Sequence, residues 1–147
     1  MKIIAFHAGI GGHLGNSYSV EYIGENRLLY KVYGKDSKSS EQTIEFTDKQ
    51  EQAFIEVLAS VGVNNWERRY NDPFVLDGTS WSFGIISGEV IYDGRGSNAY
   101  PPRFEEFITS VRTLLGVCHL NRQYKSTRSY YKLMTHQSFS LQNLRAL

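Results

Sequence analysis

The segment Ser17-Tyr18-Ser19-Val20-Glu21-Tyr22-Ile23-Gly24-Glu25-Asn26-Arg27-Leu28-Leu29-Tyr30-Lys31-Val32-Tyr33-Gly34 decides the fold. Successive side chains on a strand point to opposite faces. Tyr18, Val20 and Tyr22 therefore share one face, and Ser17, Ser19 and Glu21 share the other. A turn at Gly24-Glu25-Asn26 leads into a second run, Leu28 to Tyr33, which stops at Gly34. Two such runs joined by a short turn read as an antiparallel hairpin. A hairpin with one apolar face needs something to cover that face, and the rest of the chain supplies it.

Downstream, Lys35 to Ser40 is a polar connection, and Gln42 to Phe46 alternates again as a short strand. Thr47 and Gln50 then stand three residues apart in the capping-box arrangement that starts a helix. Phe54, Val57, Leu58 and Val61 follow at the spacing of one buried helical stripe, and Gly62 offers the left-handed stop. A second hairpin is expected over Ser80 to Tyr92, with Trp81, Phe83 and Ile85 on one face and a two-residue turn at Ser87-Gly88. Asp77-Gly78 and Asp93-Gly94-Arg95-Gly96 carry turn signals. Pro101-Pro102 suit the first positions of a second helix. Its apolar face is Phe104, Phe107, Ile108, Val111, Leu114 and Leu115, and Gly116 closes it. The order of strands, helix, strands, helix predicts an α+β fold. The expectation is a curved, mainly antiparallel sheet packed on one face by helices at about 48–61 and 102–115, with residues 1–116 as a single domain.

Charge sets the remaining residues, 117–147, apart as a C-terminal extension. Through Gly116 there are 11 basic and 15 acidic residues, whereas the extension has five basic residues and no acid. The chain of 147 residues is long enough for a sizeable core. It holds no apolar run of the roughly 18 residues that a membrane helix needs. The apolar start, Met1 to Phe6, is too short for a signal-peptide core, so a cytoplasmic protein with no membrane partner is expected. The single cysteine, Cys118, excludes an internal disulfide framework and a cysteine-rich metal site.

Candidate chemistry is sparse. Gly9-Ile10-Gly11-Gly12-His13-Leu14-Gly15 follows an apolar strand, as phosphate loops do, but it lacks their spacing and leads into a strand instead of a helix. It is expected to be a flexible hairpin connection that binds no nucleotide. His7, His13, His119 and His136 are scattered, and only His7 and His13 are placed to approach one another. No serine sits in a nucleophile elbow, and Glu105-Glu106 fit the first turn of a helix as partners of its dipole. No catalytic residue, metal site or cofactor is therefore assigned.

Trp66, Tyr70, Trp81 and Tyr100 are large amphipathic rings that either wall a groove or plug the edge of a core. With Asn98, which lies in the lead-in to the second helix, they form the candidate ligand-binding set. The pattern Trp66-x-x-x-Tyr70, Asp77-Gly78-Thr79-Ser80-Trp81, and Gly96-Ser97-Asn98-Ala99-Tyr100-Pro101-x-x-Phe104 resembles one found in a group of small uncharacterised bacterial proteins, over roughly residues 66–116. The resemblance implies no assigned activity. In the extension, Arg122, Tyr124, Lys125, Arg128 and Tyr130 interleave charge with aromatic rings and form the candidate partner-binding set. Such mixing suits single-stranded nucleic acid. Docking on an acidic protein surface is the stronger expectation, because a pI near 7.8 falls short of the basic signature of nucleic-acid binders. The sequence thus points to a non-catalytic binding module for a protein or a small molecule. The alternatives are a small hydrolase or nucleotide-handling enzyme using His7, His13 and nearby acids, and a nucleic-acid-binding module acting through the extension.

Overall fold

The structure, a computed structural model, describes residues 2–12, 15–34, 39–75, 78–88 and 90–116. The expectations for Arg122, Tyr124, Lys125, Arg128 and Tyr130, and for His13 and Asp77, lie outside the described residues.

Seven strands form one sheet: β1 (Ala5–Gly12), β2 (Ser17–Gly24), β3 (Arg27–Tyr33), β4 (Ser39–Glu45), β5 (Arg69–Asn71), β6 (Thr79–Ile86) and β7 (Ile91–Ser97). Their spatial order is β4-β3-β2-β1-β6-β7-β5. Every neighbouring pair is antiparallel except β5 and β7, which run parallel. The helices are α1 (Asp48–Val61) and α2 (Phe104–Leu115). The result is an α+β architecture with a mostly antiparallel, open sheet.

Hairpin β2–β3 forms as its alternation requires. Glu25 and Asn26 both take positive φ, 55° and 59°, the backbone that matches a two-residue turn to the twist of its strands. Val20 lies opposite Tyr30, Tyr22 opposite Leu28 and Tyr18 opposite Val32, so the apolar residues of both strands fall on one side. Phe6 on β1 and Trp81, Phe83 and Ile85 on β6 continue that side. It is covered by the helices, with Phe54 of α1 edge-on to Phe6 at 5.2 Å between ring centroids and Phe107 of α2 against Phe83 at 4.3 Å. Leu28, Leu58 and Phe83 are completely buried, and each such side chain contributes about 1.5–3 kcal/mol by leaving water.

α1 begins with the capping box. The Gln50 amide donates to Thr47 Oγ1 at 3.1 Å, and the Thr47 amide donates to Gln50 Oε1 at 2.8 Å. Gly62 ends the helix at φ 83°. Glu51 is buried on the inner side of α1, where it accepts the Ile3 amide at 2.7 Å and pairs with Lys2 at 3.1 Å, fastening the start of the chain to the helix.

Four features differ from the sequence expectation. Gly9, Gly11 and Gly12 belong to strand β1, which is bonded to β2 on one side and β6 on the other, so the glycine run is largely strand and not a flexible connection. A Cβ at Gly11 would collide with the Ser17 side chain, so glycine here permits close approach within a sheet. Asp93 to Gly96 likewise continues β7, where Gly94 and Gly96 lie opposite Phe83 and Trp81, and a Cβ at these positions would collide with the Tyr92 phenol and the Trp81 indole respectively. The connection between β6 and β7 spans residues 87–90, closed by the Ser87 amide on the Val90 carbonyl at 2.9 Å. α2 starts at Phe104, two residues past the prolines, because Arg103 takes φ 61° and breaks the helical path. The Arg103 guanidinium meets both Glu106 carboxylate oxygens, at 2.6 and 2.9 Å, and the Ser60 carbonyl at the end of α1, at 2.7 Å.

Candidate functional site

Neighbours in register share a face of the sheet, so the pairing constructs the side that the helices leave uncovered. One row of positions runs Lys31, Ser19, Gly9, Ser82, Arg95, Arg69 across six strands. The next row runs Tyr33, Ser17, Gly11, Ser80, Ser97, Asn71 over the same strands. Strands stand about 4.8 Å apart, so each row is about 24 Å long. The centre of each row carries hydroxyls or only hydrogen atoms, and the larger side chains, Lys31, Tyr33, Arg95, Arg69 and Asn71, stand toward the ends. That profile produces a trough of about 1000 Å³, floored by glycine and serine of β1, β2 and β6, with Tyr33 on one flank and Arg69 and Arg95 on the other.

The floor follows from the alternation that buries the other side. Phe83 is buried, so Ser82 on the same strand points outward, and the same parity puts Ser17 and Ser19 outside while Val20 is buried. Along β7, Arg95 stands between Gly94 and Gly96, which lie beneath the rings of Tyr92 and Trp81. The third outward row, Glu21, His7, Gly84, Asp93, lies one pleat beyond the floor. There His7 Nε2 is 4.0 Å from Asp93 Oδ1, and both side chains are exposed.

Of the five aromatic and amide residues singled out in the sequence, three border the trough: Asn98, and Tyr70 and Trp81, which alternate with the outward Arg69, Asn71, Ser80 and Ser82 and whose rings pack on each other on the helix-covered side. Each also has a structural duty. Trp81 is 3 % exposed and donates from Nε1 to the Ala99 carbonyl at 2.9 Å. The Tyr70 hydroxyl accepts the Glu67 amide at 2.9 Å. Asn98 takes φ 60°, and its side-chain oxygen accepts the Thr79 amide at 2.8 Å, which ties the chain after β7 to the start of β6. Trp66 and Tyr100 stand apart from the trough lining. Trp66 packs within an aromatic cluster of Phe83, Tyr92, Phe104 and Phe107, and Tyr100 stacks on Phe104 at 5.1 Å. Burial pushes the Tyr100 phenol up, and burial is also the main reason the Tyr92 phenol is raised to about 12.

Arg69, Arg95, Ser80, Ser82 and Tyr33 also line the trough and lie outside the candidate ligand-binding set read from the sequence, as does Gly9 of the glycine run expected to be a connection. Outward parity on each strand was readable. Which strands lie side by side was not, and that adjacency assembles the site. Among the described residues no group of three or more His, Cys, Asp or Glu side chains is placed to hold a metal ion. No described helix is long and apolar enough to cross a membrane. The chain matches no protein-family profile and no curated protein.

Proposed function

We propose that the protein is a non-catalytic binding module whose site is the trough on the uncovered side of the sheet, and that it takes a small polar molecule. One observation carries the reading: in the two rows that floor the trough, β1, β2 and β6 place only glycine and serine outward, while the flanking positions hold Lys31 and Tyr33 on one side and Arg95 and Arg69 on the other, and the concavity measures about 1000 Å³. Pockets of a few hundred to about 1000 Å³ are the usual size for small-molecule sites. Hydroxyl and amide groups of the lining, from Ser17, Ser97 and Asn98, can both donate and accept hydrogen bonds. The enzyme alternative has the exposed His7–Asp93 pair to draw on, and this pair lies beyond the trough lining.

The test is a thermal-shift panel of carboxylates, sugar phosphates, nucleotides and neutral oligosaccharides against the wild-type protein and Ser82→Trp, which fills the floor. The reading predicts a rise in melting temperature with at least one class that Ser82→Trp abolishes. Silence across the panel, or a rise that survives Ser82→Trp, contradicts it.

A further inference from the structure

We infer that the trough captures an oxyanion, the phosphate or carboxylate group of a small hydroxyl-bearing molecule, on the paired guanidinium groups of Arg69 and Arg95. This rests on the trough being a binding site and names what the site selects.

Arg69 and Arg95 are register partners on the adjacent strands β5 and β7, on the same side of the sheet, and both line the trough. Like charges at directly opposed positions destabilise a sheet, so such a pair calls for a counter-charge. The described residues do not supply one. Neither guanidinium makes a hydrogen bond or ion pair with a described residue, and the described lining contains no carboxylate. No acid near them in the chain, Glu67, Asp72 or Asp93, forms an ion pair with either guanidinium. Asp93, one pleat along β7, stands beside His7, and Asp72 Oδ1 accepts the Phe74 amide at 3.0 Å. Other cations are answered differently: Arg103 is held by Glu106, and Lys2 by Asp48 and Glu51.

Guanidinium groups present a planar fork of donors that matches the oxygens of a phosphate or a carboxylate. Two of them side by side suit one dianion or two closely spaced oxyanions. Ser82 is the register partner of Arg95, and one pleat along lie Ser97 and its partner Ser80, whose hydroxyls suit the alcohol groups of the same molecule. The site therefore favours a compact polyol carrying an anionic group over a neutral sugar or an apolar compound.

The experiment is a two-dimensional amide NMR titration of the full chain with three probes that share a polyol body: ribose 5-phosphate, gluconate and ribose. It is repeated with Arg95→Gln, Arg69→Gln and Arg95→Lys. The phosphate or the carboxylate probe should move the amides of Ser80, Ser82 and Arg95, and the probe that binds tighter identifies the oxyanion. Either Gln variant should weaken that binding about tenfold or more, the loss expected of a charged hydrogen-bond donor. Arg95→Lys, which keeps the charge and loses the fork, should fall in between. Unmoved amide signals of Phe83 and Leu58 verify that the variants fold. Ribose binding as tightly as the anionic probes, or unchanged affinity in both Gln variants, overturns the inference and leaves the binding-module reading standing. Shifts spread evenly over Lys49, Arg68 and other surface cations overturn it too, as does the absence of any shift at the trough amides.

Discussion

The indole of Trp81 lies against the backbone of Gly96, its register partner on β7, and donates to the Ala99 carbonyl just beyond. A Cβ at residue 96 would press on the indole and stand 2.8 Å from that carbonyl. Gly96→Ala should therefore destabilise the fold by about 1–3 kcal/mol through overpacking, and Trp81→Ala by about 3–5 kcal/mol through the cavity left behind. Chemical denaturation midpoints measure both. An unchanged midpoint in Gly96→Ala would mean that the ring stands clear of the strand.

Asn98 combines a left-handed backbone with a side-chain oxygen that accepts the Thr79 amide. Asn98→Ala should cost about 1–3 kcal/mol, because the Thr79 donor loses its partner in a part-buried place. Asn98→Gly should cost less than Asn98→Ala, since glycine accepts positive φ without strain. If the two variants are equally stable, backbone strain at this position has no influence.

Arg103 poses a comparable contrast at the start of α2. Its φ of 61° disfavours any residue with a Cβ, yet its guanidinium bridges Glu106 and the end of α1. Both Arg103→Ala and Arg103→Gly remove the bridge, and only Arg103→Gly relieves the backbone, so the glycine variant should melt at the higher temperature. The reverse order would contradict the left-handed assignment. The same guanidinium bonds hold the Glu106 carboxyl below its usual value of 4.5. Their contribution is present above pH 4.5 and is lost as pH falls through the lowered folded value.

Tyr92 sets an alkaline limit. Mainly through burial its phenol is raised from 10.0 to about 12, and its hydroxyl donates to the Glu67 carbonyl at 2.6 Å. The unfolded chain loses this proton near pH 10 while the folded protein retains it to about pH 12. The associated stability is complete below pH 10 and declines as pH rises between those two values. Tyr92→Phe should be less stable than the wild type at neutral pH and should lose stability more gradually between pH 10 and 12. Parallel denaturation curves across that range would show that Tyr92 titrates alike in both states.

The sequence made legible what depends on near neighbours. The alternation of Tyr18, Val20 and Tyr22, the Thr47–Gln50 box and the stripe ending at Val61 are local, and each has its expected place in the fold. Glycine was misleading, because the same residue that permits a turn also permits a strand to pass beneath a large ring. Gly94 and Gly96 can be told from a turn only once Phe83 and Trp81 are known to lie opposite. β5 has only three residues, too few to show a period. The trough escaped for a related reason. Arg69 and Arg95 are far apart in the chain and meet only because β5 adds to the edge of β7 in parallel, while the aromatic residues that drew notice, Trp66 above all, are buried in packing.

The most direct test of the trough as a binding site is the denaturation midpoint of Ser82→Trp in the absence of ligand. Ser82 is outward and exposed between Gly9 and Arg95, and substitutions at an exposed site away from packing usually change stability by less than about 0.5 kcal/mol. The account predicts a midpoint within that margin, accompanied by loss of every ligand response. A Ser82→Trp protein destabilised by several kcal/mol would contradict it, since the glycine and serine floor would then be small to accommodate the protein's own packing and not a ligand.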